Sequence, residues 1–213
     1  MGTSCCPAWS VMAKKLFPEF KDYISMAMTP MVLTARLLKT QHPDSKIAFI
    51  GPCAAKKLEA SRRSVRSDVD FVLTFEELQG MFEAKDVHFD QIPKEDEVPL
   101  DQASAAGRGF AVGGGVAKAV VEAAKRIAPD REVKVVAAQG LAECKKMLML
   151  AKAGKYNGYL LEGMACPGGC VAGAGTIQPI KKSAAAVEIY SKTAPFENAV
   201  DTKYDINLPL LKD

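Results

Sequence analysis

The sequence predicts an α/β fold in which mixed or parallel sheets are flanked by helices, and three observations carry that prediction. Two short apolar runs, at 47–50 and 133–137, read as buried strands of the parallel type, each followed by a helix start. Other stretches repeat apolar residues at 3.6-residue spacing. The two kinds of segment alternate along the chain, which is the order that α/β layers require.

In chain order, Trp9, Met12, Ala13, Leu16 and Phe17 mark the first helix, and the strand at 47–50 follows. Phe71, Val72 and Leu73 make a weaker strand candidate. Thr74 and Glu77 then form a capping box ahead of Leu78, Met81 and Phe82, each side chain serving a backbone N–H that the first turn leaves free. Between 86 and 104, Pro93, Pro99 and seven acidic or basic residues show little periodicity, so this stretch is expected to be a solvated connection between two lobes. Val116, Ala119, Val120, Ala123 and Ile127 define the next helix. After the strand at 133–137 comes a helix over about 141–153, stopped by Gly154, and then a weaker strand at 159–161. A short helix at 184–190 precedes an irregular stretch around Pro195 and Pro209. Cys5 and Cys6 sit almost at the start, whereas Cys53 has a strand before it; the expectation is that a strand belongs ahead of Cys5 and that the chain is a fragment.

With 213 residues, 48 % of them hydrophobic, the chain can bury a substantial core and fits one domain, with room for two lobes. The formal charge of +3 is scattered and makes no basic stripe, which argues against a nucleic-acid partner. No apolar run approaches the ~18 to 20 residues of a membrane span, and residues 1–8 lack the pattern of a signal peptide, so a cytoplasmic protein is expected. Six cysteines are too few for a disulfide-built scaffold of this length. Metal or cluster ligation becomes their leading use.

The context of the cysteines sharpens this. Cys6 precedes Pro7 and an amphipathic helix, Cys53 precedes Ala54, Ala55, Lys56 and Lys57, and Cys166 precedes Pro167, Gly168, Gly169 and Cys170. Each group is expected at a helix N-terminus, where proline is tolerated and where the dipole and free N–H groups favour a thiolate. Soft sulfur ligands select iron–sulfur, zinc or copper over hard cations. Zinc sites usually pair their cysteines as Cys-x-x-Cys knuckles, and none is present. Cys144, on the apolar stripe of Leu141, Leu148 and Ala151, is read as core. The Pro-Gly-Gly turn between Cys166 and Cys170 packs poorly and favours ligation there. Cys53 taken alone is ambiguous. Neighbouring side chains at a helix start diverge, so one of Cys5 and Cys6 is expected to ligate and the other to do something else. Residues 113–118 lack the Gly-Lys-Ser/Thr ending of a phosphate loop and are read as a closely packed helix start, without a nucleotide.

Taken together, Thr3-Ser4-Cys5-Cys6-Pro7-Ala8-Trp9, Pro52-Cys53-Ala54-Ala55-Lys56-Lys57-Leu58-Glu59 and Glu162-Gly163-Met164-Ala165-Cys166-Pro167-Gly168-Gly169-Cys170 closely resemble the three signature motifs of the [FeFe]-hydrogenase catalytic domain, in order and in spacing. The resemblance runs from Thr3 to about Gly175 and implies two α/β lobes around a buried iron–sulfur site. Residues 1–213 would then be a piece of an H-cluster domain, with its upstream part and ferredoxin-like domains missing. The implied cofactor is a [4Fe-4S] cubane joined through one cysteine sulfur to a diiron unit that bears CO, cyanide and a bridging dithiolate, supplied by maturation proteins. By this resemblance Cys6, Cys53, Cys166 and Cys170 match the cubane ligands, with Cys170 bridging. Cys5 resembles the proton shuttle, Ser25 the hydroxyl relay and Lys56 the donor to a cyanide ligand, while Glu59 and Met164 match positions beside the cluster. Lys57, Arg62, Arg63 and Arg66 read as a solvated helix face or a dock for an acidic ferredoxin.

Three features depart from the family pattern. Gly51 stands where methionine is usual, Thr29 and Met31 flank Pro30, and the last glycine run is broken as Gly173-Ala174-Gly175. These features look more like the sensory branch of the family than its fast producers. Three functions follow from the resemblance: reversible formation of H2 from protons and electrons, a hydrogen or redox sensor, and a non-catalytic iron–sulfur protein of cluster assembly. Relatives of the last kind lack the adjacent Cys-Cys pair.

Overall fold

The computed structural model describes residues 1–93 and 103–202, and its strands and helices alternate as expected. Two short strands, β1 (Ala48–Ile50) and β2 (Phe71–Leu73), pair in parallel with Ala48 opposite Phe71. Two longer ones, β3 (Val135–Gln139) and β4 (Leu160–Met164), also pair in parallel, with Val135 opposite Leu160. Parallel neighbours need a crossover, and helices supply it.

The first pair belongs to a lobe with α1 (Pro7–Leu16) at its border, α2 (Pro30–Gln41), α3 (Ala55–Ala60) and α4 (Phe75–Ala84). Its small core gathers Met31, Val32 and Ala35 of α2 with Val65 and Val69. The helix α2 has no counterpart in the sequence expectations, because leucine, valine and methionine surround it and leave no single apolar stripe. Pro30 at its first position is the one local signal. The box of Thr74 and Glu77 forms as predicted, Thr74 Oγ1 accepting from Glu77 N at 3.1 Å and Glu77 Oε2 accepting from Thr74 N at 2.8 Å.

The second lobe holds α5 (Ala105–Arg108), α6 (Gly115–Ile127), α7 (Leu141–Lys152) and α8 (Ile180–Lys192), the last longer at both ends than 184–190. Its core packs Trp9 and Ala13 of α1 against Cys144, Met147 and Leu148 of α7 and Leu161 of β4. Of the solvated connection expected at 86–104, residues 94–102 lie outside the described ones, and residues 88–92 are exposed.

Burial of the strands differs from expectation. The runs at 47–50 and 133–137 read as buried, yet β1 and β3 alternate, with Ile50 45 % exposed. β4, which starts within the weaker candidate at 159–161 and runs on to Met164, has all five residues buried. The reason is position. A two-stranded sheet leaves its strands at an edge, but β4 has a second neighbour in residues 1–3, which donate Thr3 N to Leu161 O at 2.9 Å and accept Leu161 N at Met1 O at 2.8 Å. On its face Gly163 meets the Trp9 indole so closely that a Cβ there would overlap the ring. The first helix therefore lies directly on β4.

Asp70 ties the start of β1 to the lobe, accepting Ile47 N at 2.9 Å and pairing with Lys39 at 3.2 Å and Lys46 at 3.3 Å. The Ile47 hydrogen bond and then Lys39 pull its carboxyl from an ordinary 3.8 down to about 2. A depressed carboxyl stabilises the fold above its unfolded value and loses that contribution as pH falls toward the folded one. Asp70→Asn is therefore expected to lower the urea midpoint at pH 7, and the gap to the parent protein should close between about pH 4 and pH 2.

Candidate metal centre

At the first cysteine pair, Cys6 occupies the N-cap of α1 in an extended conformation (φ −92°, ψ 108°), Pro7 follows in the first turn, and the Cys6 carbonyl accepts Ser10 N at 3.0 Å. The Cys6 sulfur accepts the Ala165 N–H at 3.5 Å, at the end of β4. Cys5 turns the other way and lines a cavity of about 780 Å³ together with Thr3, Ser4, Ser25, Leu33 and Leu37. The expected divergence of the pair is what the backbone produces. Ser25 shares that cavity wall with Cys5, its Oγ accepting Ala27 N at 3.1 Å.

The second group follows β1 through Gly51, Pro52 and Cys53 into the short α3. There Lys56 and Glu59 are both buried and joined at 2.6 Å, and the Lys56 ammonium also donates to the Cys5 carbonyl at 3.4 Å. A buried ammonium is costly unless paired, and Glu59 is the pair. Lys57 instead reaches Glu77 at 2.7 Å on the surface, and Arg63 and Arg66 are exposed, so the basic set divides as its sequence reading allowed. The third group leaves β4 after Met164, turns at Cys166 to Gly169, and enters a single 3-10 turn, Cys170–Ala172. Gly168 N donates to Gln139 Oε1 at 2.8 Å and Gly168 O accepts Gly113 N at 3.0 Å, which clamps the turn from both sides. A Cβ at Gly173 would collide with the Pro52 carbonyl, so this turn and the Cys53 loop lie in contact.

One expectation needs correction. The sequence predicts three helix N-termini at the cysteines, and only Cys6 caps a full helix. Ala54, not Cys53, caps α3. After Pro167 the backbone cannot continue as a helix, because Gly168 (φ 103°) and Gly169 (φ 90°) hold positive φ.

Burial and neighbouring charge keep the thiols protonated. Burial first, then Cys53, Cys6, Cys5 and Cys166, push the Cys170 thiol up to about 12. Burial, then Cys53 and Cys6, raise Cys166. Burial, then Cys6 and Glu162, push Cys5 up to about 11 against the pull of Lys56. Among the described residues, no three His, Cys, Asp or Glu side chains converge as ligands of one ion would. Cys144 stands apart as fully buried core, as its stripe predicted, and the Met164 side chain is buried beside the third group.

Two residues of this arrangement escaped the sequence reading. One is Gln139, the clamp just described. The other is Glu162, 0 % exposed in the middle of β4, whose two oxygens accept Gly114 N and Ala117 N at 2.6 Å each. It fills the N-terminus of α6, the closely packed helix start at 113–118. A charged residue inside an apolar strand run is the signal that marks it.

The α/β scaffold thus carries cysteines on three loops, at the start of α1, ahead of α3 and in the turn after β4, and holds those loops in contact with one another. Residues 1–174 match the family model of the iron only hydrogenase large subunit, C-terminal domain, and the chain belongs to that family. Membership implies an iron–sulfur cofactor. The chain is 28 % identical to the NADP-reducing hydrogenase subunit HndD of Solidesulfovibrio fructosivorans, over 97 % of this chain and 43 % of that protein. It is 31 % identical to the periplasmic [Fe] hydrogenase large subunit of Nitratidesulfovibrio vulgaris, over 84 % of this chain and 51 % of the relative. A cytosolic Fe-S cluster assembly factor, NAR1 of Phaeosphaeria nodorum, is 32 % identical over 43 % of this chain and 18 % of its own. The fold matches [FeFe]-hydrogenase HydA1 from Chlamydomonas reinhardtii with a TM-score of 0.69 at 21 % identity, over 98 % of this chain and 70 % of that one. The chain thus spans about half, or less, of the curated hydrogenases it matches. Among the described residues no helix is long and apolar enough to cross a membrane.

Glu162→Ala should leave two buried N–H groups without an acceptor and lower the unfolding free energy by about 2 to 4 kcal/mol, read from urea denaturation. Glu162→Gln keeps one acceptor and should lose less.

Proposed function

We propose that Cys6, Cys53, Cys166 and Cys170 hold a [4Fe-4S] cubane, that Cys170 bridges it to a diiron unit, and that the complete H-cluster domain interconverts protons and H2. The observation that supports this reading is the contact of the three cysteine loops: the Cys6 sulfur accepts the Ala165 N–H at 3.5 Å next to Cys166, Gly173 packs on the Pro52 carbonyl next to Cys53, and Cys5 lines a cavity. When bound, the cofactor with its CO, cyanide and dithiolate ligands supplies the redox chemistry 2H⁺ + 2e⁻ ⇌ H2. The protein supplies position and proton traffic. Cys5, a thiol at the cavity wall, takes up and releases protons on the side where Ser25 also lies. Lys56, held by Glu59 and the Cys5 carbonyl, presents a buried ammonium suited to a cyanide ligand. Glu59 keeps that ammonium in place, and Met164 closes the site against water with its buried side chain.

Electrons would come from a ferredoxin or from ferredoxin-like domains, with the exposed Lys57, Arg63 and Arg66 as the docking face. Maturation proteins would deliver the diiron unit, and the cytoplasm is the proposed location. The departures at Gly51, Thr29 and 173–175 support slow turnover in a sensory role. The similarity to the assembly factor supports a second reading, a cubane without the diiron unit. Infrared spectra of anaerobically matured protein separate the two: sharp CO and cyanide bands support the first, and a cubane signal alone supports the second. In the same preparation Cys6→Ala should abolish cubane assembly. Cys5→Ala should retain the cubane and slow turnover by about 10²-fold or more. The reverse pattern overturns the assignment of the pair.

A further inference from the structure

The strongest unassigned feature is the fully buried Cys144, which the proposed chemistry does not use. It lies one turn into α7, with Cys144 N bonded to Gly140 O at 3.0 Å, and its sulfur reaches two carbonyls at 3.5 Å each, Ala138 O and Met164 O. Met164 O also accepts Gly140 N at 2.8 Å. The other end of the same peptide group, the Ala165 N–H, donates to the Cys6 sulfur at 3.5 Å. The thiol has one proton, shared between those two carbonyls, so one planar amide connects the Gly140 N–H and a shared S–H on its oxygen to one acceptor on its nitrogen.

We infer that Cys144 is a positioning residue for the Cys6 sulfur, acting through the Met164–Ala165 peptide; this rests on the reading of Cys6 as a cubane ligand. Resonance couples the two ends of an amide, so a donor on the carbonyl makes the N–H a stronger donor, and hydrogen bonds in series strengthen one another in a low-dielectric interior. A stronger N–H on a ligand sulfur draws electron density from it and favours the reduced cluster. The same bonds fix the orientation of the amide, because Gly140 N and the Cys144 sulfur hold its oxygen at the start of α7. Packing alone would require only a small apolar side chain at this position.

The test compares Cys144→Ala, which removes the donor, with Cys144→Ser, which restores one. The first measurement is the cubane midpoint potential of the reconstituted protein, followed by electron paramagnetic resonance at matched iron content. Cys144→Ala should weaken reduction about three- to tenfold, tenfold being about 59 mV for a one-electron couple, and Cys144→Ser should recover it. The second measurement needs no cluster: the Ala165 amide proton of the apoprotein should move upfield in Cys144→Ala and return in Cys144→Ser. Equal potentials in all three proteins at full iron content overturn the inference and leave the ligand reading intact. A wild type that takes up no cubane overturns the ligand reading and, with it, the role of Cys144 toward a ligand.

Discussion

The Glu162 carboxylate on the N-terminus of α6 is the contact on which the site's geometry depends. It is an acidic side chain with no exposed surface, in a strand whose neighbours are all buried, and burial of that kind is tolerated only with strong acceptor bonds. Gly114 and Ala117 provide them at 2.6 Å, and the positive end of a thirteen-residue helix adds to them. The bond joins α6 to the strand that leads, four residues later, to Cys166. It also places a negative charge near Cys5 and Cys144, whose thiols it helps to raise.

From β4 the positions of two cysteine groups follow. Cys166 and Cys170 continue directly from its end, in a turn held by Gln139 and Gly113. Cys6 arrives because Gly163 admits the Trp9 ring and so lays α1 across the strand. Cys53 comes from the other lobe, and its link is the close approach of Gly173 to Pro52 together with Gly175 N donating to Pro52 O at 3.0 Å. Three loops that are distant in sequence are thus fastened to one strand by small residues and backbone bonds. Larger side chains at Gly163 or Gly173 would separate them.

The sequence made most of this visible where local chemistry decides. The strand at 71–73 and the capping box of Thr74 and Glu77 were readable to the residue, since both depend on neighbours within a few positions. The helix after Gly114 and its stop near Ile127 were readable from one apolar stripe. Family membership was readable from three motifs. What escaped was set by partners far along the chain. The candidate at 159–161 is short and weak because Glu162 and Gly163 interrupt the apolar run, and those two residues are the ones that the packing of β4 requires. Residues 30–41 hid a helix because apolar groups surround it, some facing the core and others, such as Leu33 and Leu37, the cavity. The turn after Cys166 resembled a helix start through Pro167, and the positive φ of two glycines decided otherwise.

The charge balance around the cysteines suits the anionic cluster proposed for them. Lys56 is the one buried cation among the described residues, and Glu59 cancels most of its field at 2.6 Å. Glu162 is spent on α6. Formal charge therefore contributes little net positive potential to the centre. Dipoles do more: the first turn of α1 faces it from Cys6, and the Ala165 N–H points at the Cys6 sulfur. Fixed N–H groups need no counter-charge of their own and do not titrate, so they stabilise negative sulfur without adding a second buried charge that must itself be neutralised. In the proposed site the sulfurs are then tuned through backbone orientation, and side chains that hold the backbone, such as Gln139 on Gly168 N, contribute without touching a cysteine sulfur.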